Sequence, residues 1–242
     1  MNFTLHIWRQ KNAIAQGYFE QYQIEVSENT SFLEMLDALN EQLISNGHDA
    51  IAFDFDCREG ICGACSLVIN GSPHGKHLAT TTCQQYMRDY AQEPELWIEP
   101  WRATAFPIVK DLIVDRSAFD NIIQAGGYIA TRTGSANEAN TIAINKDVAD
   151  DAFDSATCIG CGACVAVCPN ASASLFVAAK VSHLSSLPQG EIDPHRPKKM
   201  LAEMEQQGFG TCSNYRECER VCPKEISVTN ITKMNKLLYQ NK

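Results

Sequence analysis

The sequence of 242 residues lacks most of the signatures that announce a catalytic site. It holds no G-x-G-x-x-G turn, no P-loop, no G-x-S-x-G elbow and no H-E-x-x-H pair. No stretch approaches the roughly 18 consecutive apolar residues of a membrane helix, so no span within the chain is expected. Met1 to Lys11 are polar and alternating, without a basic start and an apolar core, so no secretory leader is expected. An excess of positive charge is also missing. The net charge is −9, which argues against nucleic acid as a partner, because phosphate binding needs a basic patch. The deficit lies in residues 1–105, with six Lys/Arg against fourteen Asp/Glu, whereas 106–242 carry fourteen against fifteen. We read the acidic half as a solubility feature. No proline, serine or glutamine tract marks a low-complexity segment, and the length suits one large or two ordinary domains.

What the chain does have is eleven cysteines. The number is odd and the residues are bunched, a poor match to a disulfide framework and a better one to a reducing compartment. Cys57, Cys62 and Cys65 stand in one loop with Cys83 after seventeen intervening residues, the C-x4-C-x2-C…C spacing of plant-type [2Fe–2S] sites. Gly60 and Gly63 let that backbone fold around a cluster and aim N–H groups at its sulfurs. Four thiolates also suit zinc, but zinc sites usually pair two short knuckles rather than three ligands in one loop. Cys158, Cys161, Cys164 and Cys168-Pro169 follow C-x2-C-x2-C-x3-C-P without deviation. In two-cluster ferredoxins the fourth cysteine of this run serves the other cluster, so a second set of ligands is required.

That set lies near the C-terminus, at Cys212, Cys218 and Cys222-Pro223. The same template counted back from Cys222 meets Cys218, then position 215, then Cys212, and position 215 is Tyr215. By the crossover rule Cys222 completes Cys158, Cys161 and Cys164 around a [4Fe–4S] cluster. Cys168, Cys212 and Cys218 remain, three thiolates that suit [3Fe–4S], since a cubane with one iron unligated tends to lose it. A Tyr215 phenolate, or water on a fourth iron, are the two other readings. No catalytic residue is expected on a chain so committed to cofactors. His6, His48, His74, His77, His183 and His195 read as surface or packing residues, with His74 and His77 the least settled because they precede Cys83.

Hydrophobic periodicity supplies the scaffold. Phe3, Leu5 and Ile7 alternate with polar neighbours, as do Tyr22, Ile24 and Val26, which predicts a hairpin. Ser31 and Glu34 form a capping box ahead of a helix through Leu36, Leu39, Asn40 and Leu43 that stops at Asn46-Gly47. Ser66 to Asn70 and Leu96 to Ile98 read as strands. From Ser117 the signals turn helical, with Phe119, Ile122 and Ile123 on one face, and Ala202 to Gln207 and Val228 to Leu238 as later helices. Thr131 to Asn145 reads as a loop. The order is α+β, with a boundary near Ala105 and domains at 1–105 and 106–242.

The order of motifs resembles the iron–sulfur subunit of succinate dehydrogenase and fumarate reductase. Beyond the cysteines, the likeness includes Cys57-Arg58-Glu59-Gly60-Ile61-Cys62-Gly63, Ile69-Asn70-Gly71, Glu99-Pro100, Pro107 to Leu112, Val114-Asp115 and Cys222-Pro223-Lys224. The resemblance implies a β-grasp [2Fe–2S] ferredoxin domain followed by an all-α ferredoxin domain holding the [4Fe–4S] and [3Fe–4S] clusters. It implies two partners, a flavoprotein subunit with FAD and a membrane anchor with quinone and haem b, and an electron path running between them. It implies a bacterial protein held peripherally on the cytoplasmic face of the inner membrane by that anchor. Well-known members carry a tryptophan and a histidine where this chain has Ala173 and Ser213. The departure points to an anchor of the dihaem cytochrome b type, with quinone not held by this chain in that way. Asn170 to Val181, small and apolar, is the expected contact with the anchor.

Overall fold

The computed structural model describes residues 1–128, 138, 141–186 and 195–240. Strands β1 (Asn2–Arg9) and β2 (Tyr18–Glu25) form the expected antiparallel hairpin, in register from Asn2 opposite Glu25 to Arg9 opposite Tyr18. β1 also pairs in parallel with β5 (Glu95–Glu99), which sets Leu5 beside Leu96 and Ile7 beside Ile98. Two short strands, β3 (Val68–Ile69) and β4 (Ser72–Pro73), complete a five-stranded sheet in the order β2-β1-β5-β3-β4. Phe3, Leu5 and Ile7 of β1 point to one side and share a buried core with Phe32, Leu33, Met35, Leu36 and Leu39 of helix α1 (Phe32–Ser45). The strand expected at Ser66 to Asn70 shrinks to two residues. Ser66 is drawn off by side-chain bonding to Gly63 and Cys161, and Asn70 turns through a positive φ.

The capping box of α1 is formed as the sequence predicts. Ser31 Oγ accepts from Glu34 N at 3.3 Å, and Glu34 Oε2 accepts from Ser31 N at 2.7 Å. These bonds to the N-cap hold the Glu34 carboxyl below its usual range. Its contribution to stability is therefore present above the ordinary carboxylate pKa and is lost as pH falls through the depressed value. Ser31→Ala is expected to lower stability by about 1 kcal/mol, read as a shift of the denaturant midpoint at constant slope. An unchanged midpoint would remove the cap from the account.

A small hairpin of β6 (Ile108–Lys110) and β7 (Ile113–Val114) links the sheet to the helices. At its turn Asp111 is buried with a positive φ. Its Oδ1 accepts from Gln10 N at 2.9 Å and its Oδ2 from Ala52 N at 3.0 Å, while Leu112 N donates to Ala52 O. Leu112 belongs to the sheet core, yet Trp101, Ala105 and Phe106 before it and Val114 after it belong to the helical core. The stretch from Trp101 to Arg116 thus serves both.

The helical part contains α2 (Ser117–Gly126), α3 (Lys146–Ala156), α4 (Ala163–Ala166), α5 (Ser174–Ser186), α6 (Arg196–Gln206), α7 (Glu217–Arg220) and α8 (Thr229–Gln240). α2 buries Phe119 and Ile122 as its stripe requires. α6 begins six residues before the expected Ala202, with Pro197 in its first turn. Asn145 caps α3 by accepting from Asp147 N, so the expected loop ends there, although 131–137 and 139–140 lie outside the described residues. α5 is the central helix, buried on every side through Leu175, Phe176, Val177, Ala178 and Ala179. This corrects the expected anchor contact at Asn170 to Val181: Ser172 to Ala179 are buried within this chain, and Ala173 cannot reach an outside ligand.

Candidate iron–sulfur sites

Four cysteines gather beside the sheet. Cys57 and Cys62 lie on the surface side of their loop, and Cys65 and Cys83 are buried. Glu59 N donates to Cys57 Sγ at 3.3 Å and Ala64 N to Cys62 Sγ at 3.4 Å, the bonding expected of a loop that turns its amides toward sulfur. Bonds from the backbone amides of Glu59 and Ile61 draw the Cys57 thiol below its usual range. The neighbouring thiols of Cys65 and Cys83 act on each other, which pulls Cys83 down to about 5 and pushes Cys65 up, aided by burial of Cys65 and by Thr81 Oγ1 at 3.2 Å from Cys83 Sγ. The loop and the distant fourth cysteine are therefore joined.

Cys158, Cys161, Cys164 and Cys222 line one cavity, walled by Phe119, Leu175 and Phe176. Burial raises all four thiols, Cys161 to about 12, and among the described residues no carboxylate lines the cavity. Thiolates so placed need a positive core between them, which iron supplies. Phe119 stacks on Phe176 with centroids 3.9 Å apart, and Phe106 and Phe209 meet Phe119 at 5.1 and 5.6 Å, so the wall is dry and close-packed.

Cys168, Cys212 and Cys218 line a second cavity with Ser172, Ser174, Tyr215 and Arg216, a more polar wall that opens at the exposed Cys212. Asn214 N donates to Cys212 Sγ at 3.4 Å, and burial pushes Cys218 up to about 11. Leu175 of α5 lines both cavities and separates them. Cys168 thus sits apart from Cys158, Cys161 and Cys164, its neighbours in sequence, and beside Cys212 and Cys218.

The two cysteine loops share a backbone. Gly160 and Gly162 flank Cys161 with φ of 63° and 91° ahead of the four-residue α4; Asn214 and Arg216 flank Tyr215 with φ of 59° and 68° ahead of the four-residue α7. Tyr215 stands at the counterpart of Cys161, half exposed at the cavity rim. Two non-glycine residues held at positive φ cost roughly 1–2 kcal/mol each, strain that persists because the loop is wrapped around the site.

Among the described residues no three His, Cys, Asp or Glu side chains close on a single point as one metal ion requires. Thiols that ring a cavity suit a cluster, whose inorganic core keeps its ligands apart. Among the described residues no histidine lines either of the two helical cavities. His74 is buried edge-on to Trp101 at 5.4 Å, with Nδ1 3.2 Å from Thr82 Oγ1, and burial pulls it down to about 4; His77 faces Asp89 at 3.3 Å on the surface.

No spacing of residues announces the seam between the first two sites. Gly63, in the first cysteine loop, meets Ile159 and Cys161 of the second so closely that an added Cβ would lie 2.6 Å from Ile159 O. Ser66 Oγ donates across it to Cys161 O at 2.9 Å, and Trp101 Nε1 donates to the same oxygen at 2.9 Å.

Comparison with known proteins is consistent with this arrangement. The family described as "2Fe-2S iron-sulfur cluster binding domain" matches residues 4–121, and that described as "4Fe-4S dicluster domain" matches 154–226. The succinate dehydrogenase iron-sulfur subunit of Bacillus subtilis is 28% identical over 232 residues, covering 92% of this chain and 87% of that one. The fumarate reductase iron-sulfur subunit of Wolinella succinogenes is 27% identical over 223 residues, covering 89% and 87%. In fold the chain is similar to one from the structure "Mycobacterium smegmatis Sdh1 complex in the apo form", with a TM-score of 0.72, 21% identity, and 100% and 97% of the two chains covered.

Proposed function

We propose that this chain, which belongs to the iron–sulfur subunits of the succinate dehydrogenase and fumarate reductase family, carries single electrons between a flavoprotein subunit and a membrane anchor. The observation that carries the reading is the sorting of all eleven cysteines into two groups of four and one of three. We assign [2Fe–2S] to Cys57, Cys62, Cys65 and Cys83, [4Fe–4S] to Cys158, Cys161, Cys164 and Cys222, and [3Fe–4S] to Cys168, Cys212 and Cys218. Bound clusters exchange one electron at a time, whereas the FAD of a partner exchanges two with the dicarboxylate, so this chain divides or combines the pair on the way to quinone or haem b.

The residues of the chain bind, insulate and tune. Amides of Glu59, Ala64, Asn214 and Ile226 point at ligand sulfurs and disperse their negative charge. Phe119, Phe176 and Leu175 keep water from the middle site, while Ser172, Ser174 and Arg216 make the last one more polar. We take 1–105 as a β-grasp ferredoxin domain and 106–242 as an α-helical ferredoxin domain. With Ser172 to Ala179 committed to the core, the face offered to an anchor of the dihaem type is the exposed rim at Cys212, Ser213 and Tyr215, where Asn170 Nδ2 donates to Ser213 Oγ. Among the described residues no helix is long and apolar enough to cross a membrane, so attachment on the cytoplasmic face falls to that partner.

The test is purification from native membranes with assays of succinate:quinone and quinol:fumarate activity. Roughly nine irons per chain, three EPR-distinct clusters and an FAD-bearing partner are expected. Zinc in place of iron, or no flavoprotein, overturns the proposal. A second check uses the backbone match at Tyr215: Tyr215→Cys is expected to convert [3Fe–4S] to [4Fe–4S], removing the signal of the oxidised three-iron cluster. Survival of that signal in a natively folded variant would misplace position 215.

A further inference from the structure

We propose that Arg116 is a positioning residue that clamps the first two cluster loops together and, through its charge, favours the reduced state of both clusters. The inference rests on the ligand assignment above. Arg116 stands at the entrance of α2, and its Nη1 donates to Gly63 O at 2.5 Å, to Cys161 O at 3.3 Å and to Ser66 Oγ at 3.4 Å. Gly63 lies between the ligands Cys62 and Cys65, and Cys161 is itself a ligand of the neighbouring site. One guanidinium nitrogen therefore touches both loops at the place where their backbones approach most closely.

Among the described residues no carboxylate lies within ion-pairing distance of this half-buried cation. Its bonds all run to neutral oxygens, so no directly paired carboxylate offsets its charge. Asp54 feels its field from farther off: its carboxyl is pushed up by burial against the pull of Arg116. Reduction adds one negative charge on either side of Arg116, and a cation held without a counterion in a partly dry seam favours that added charge at both.

The fork matters as well as the charge. Arg116 is fixed against carbonyls of two loops, whereas a lysine ammonium is a point charge on a flexible stem. Arg116→Gln and Arg116→Lys chains, assembled in the intact complex, separate the two roles. EPR-monitored redox titration gives the potential of each cluster, and relaxation enhancement between the [2Fe–2S] and [4Fe–4S] centres reports their separation.

In Arg116→Gln the reduced-to-oxidised ratio at a fixed ambient potential is expected to fall roughly tenfold for both of these clusters. The three-iron cluster, beyond Leu175, is expected to keep its potential and serves as the internal control. Arg116→Lys is expected to restore most of both potentials while leaving the relaxation enhancement weaker than in the wild type. Unchanged potentials in Arg116→Gln, an equal shift of all three, or full relaxation enhancement in Arg116→Lys would each overturn the inference. Should Arg116→Gln not accumulate, the enhancement in Arg116→Lys decides alone. A wild-type complex without the two EPR signals would overturn the ligand assignment itself, which is a different failure.

Discussion

A Cys222→Ser chain is expected to lose the [4Fe–4S] signal and roughly four of its nine irons, while the [2Fe–2S] signal stays intact. The expectation follows from where the chain takes Cys222. In sequence it is four residues from Cys218, but it lines the cavity of Cys158, Cys161 and Cys164, whereas Cys218 lines that of Cys168 and Cys212. Cys218→Ser should therefore spare the [4Fe–4S] cluster and remove the three-iron one. The middle site sits in the helical core against Phe119 and Phe176, so emptying it leaves thiols in a dry cavity with no metal to tie α4, α5 and the Cys222 turn together. A loss of stability above about 4 kcal/mol is expected in thermal unfolding under anaerobic conditions. If Cys222→Ser kept its [4Fe–4S] cluster and lost the three-iron signal instead, the crossover would be wrong.

Gly63→Ala is the second large effect. Gly63 has a φ of +73°, where an alanine is strained by roughly 1–2 kcal/mol. The added Cβ would also stand 2.6 Å from Ile159 O and 3.2 Å from the N and Cα of Cys161. All of these are backbone atoms, so no side chain can swing aside. Gly71 is the control, since its φ of +76° carries similar strain but nothing lies within 4 Å of an added Cβ. Gly71→Ala is expected to cost only the strain, about 1–2 kcal/mol. Gly63→Ala should cost roughly 2–4 kcal/mol and also weaken the magnetic coupling of the first two clusters, because the loops must part. Equal losses in the two variants, with coupling preserved, would mean that the close approach is not needed.

The elements that the sequence announces are those whose chemistry is local. The hairpin is legible because Phe3, Leu5 and Ile7 alternate, and α1 because Ser31 and Glu34 cap it within one turn. α5 is not, because Leu175 to Ala179 are buried all round and leave no stripe to read; nor is α3, whose Asp-rich sequence has few apolar positions. The same division governs the sites. Cysteine spacing finds every thiol the structure gathers, since a loop around a cluster needs ligands at short fixed intervals. Arg116, Ser66, Trp101 and Leu175 act across 45 or more residues, or by sitting between two cavities, and no spacing rule encodes that. The segment Asn170 to Val181 misleads for a related reason: small apolar residues suit a membrane partner and a tightly packed core equally well.

Asp111 bears on how the protein is made. The amide of Gln10, at the end of β1, finds its acceptor 101 residues later, and the amide of Ala52 finds the other oxygen of the same carboxylate. During synthesis the sheet and α1 can assemble as soon as β5 has emerged, but two of their inner amides stay open until Asp111 leaves the ribosome. Closing so long a loop late is a modest entropic penalty, and unpaired buried amides are a larger one. The nascent sheet therefore waits, incomplete, until the turn at Asp111 has followed it out.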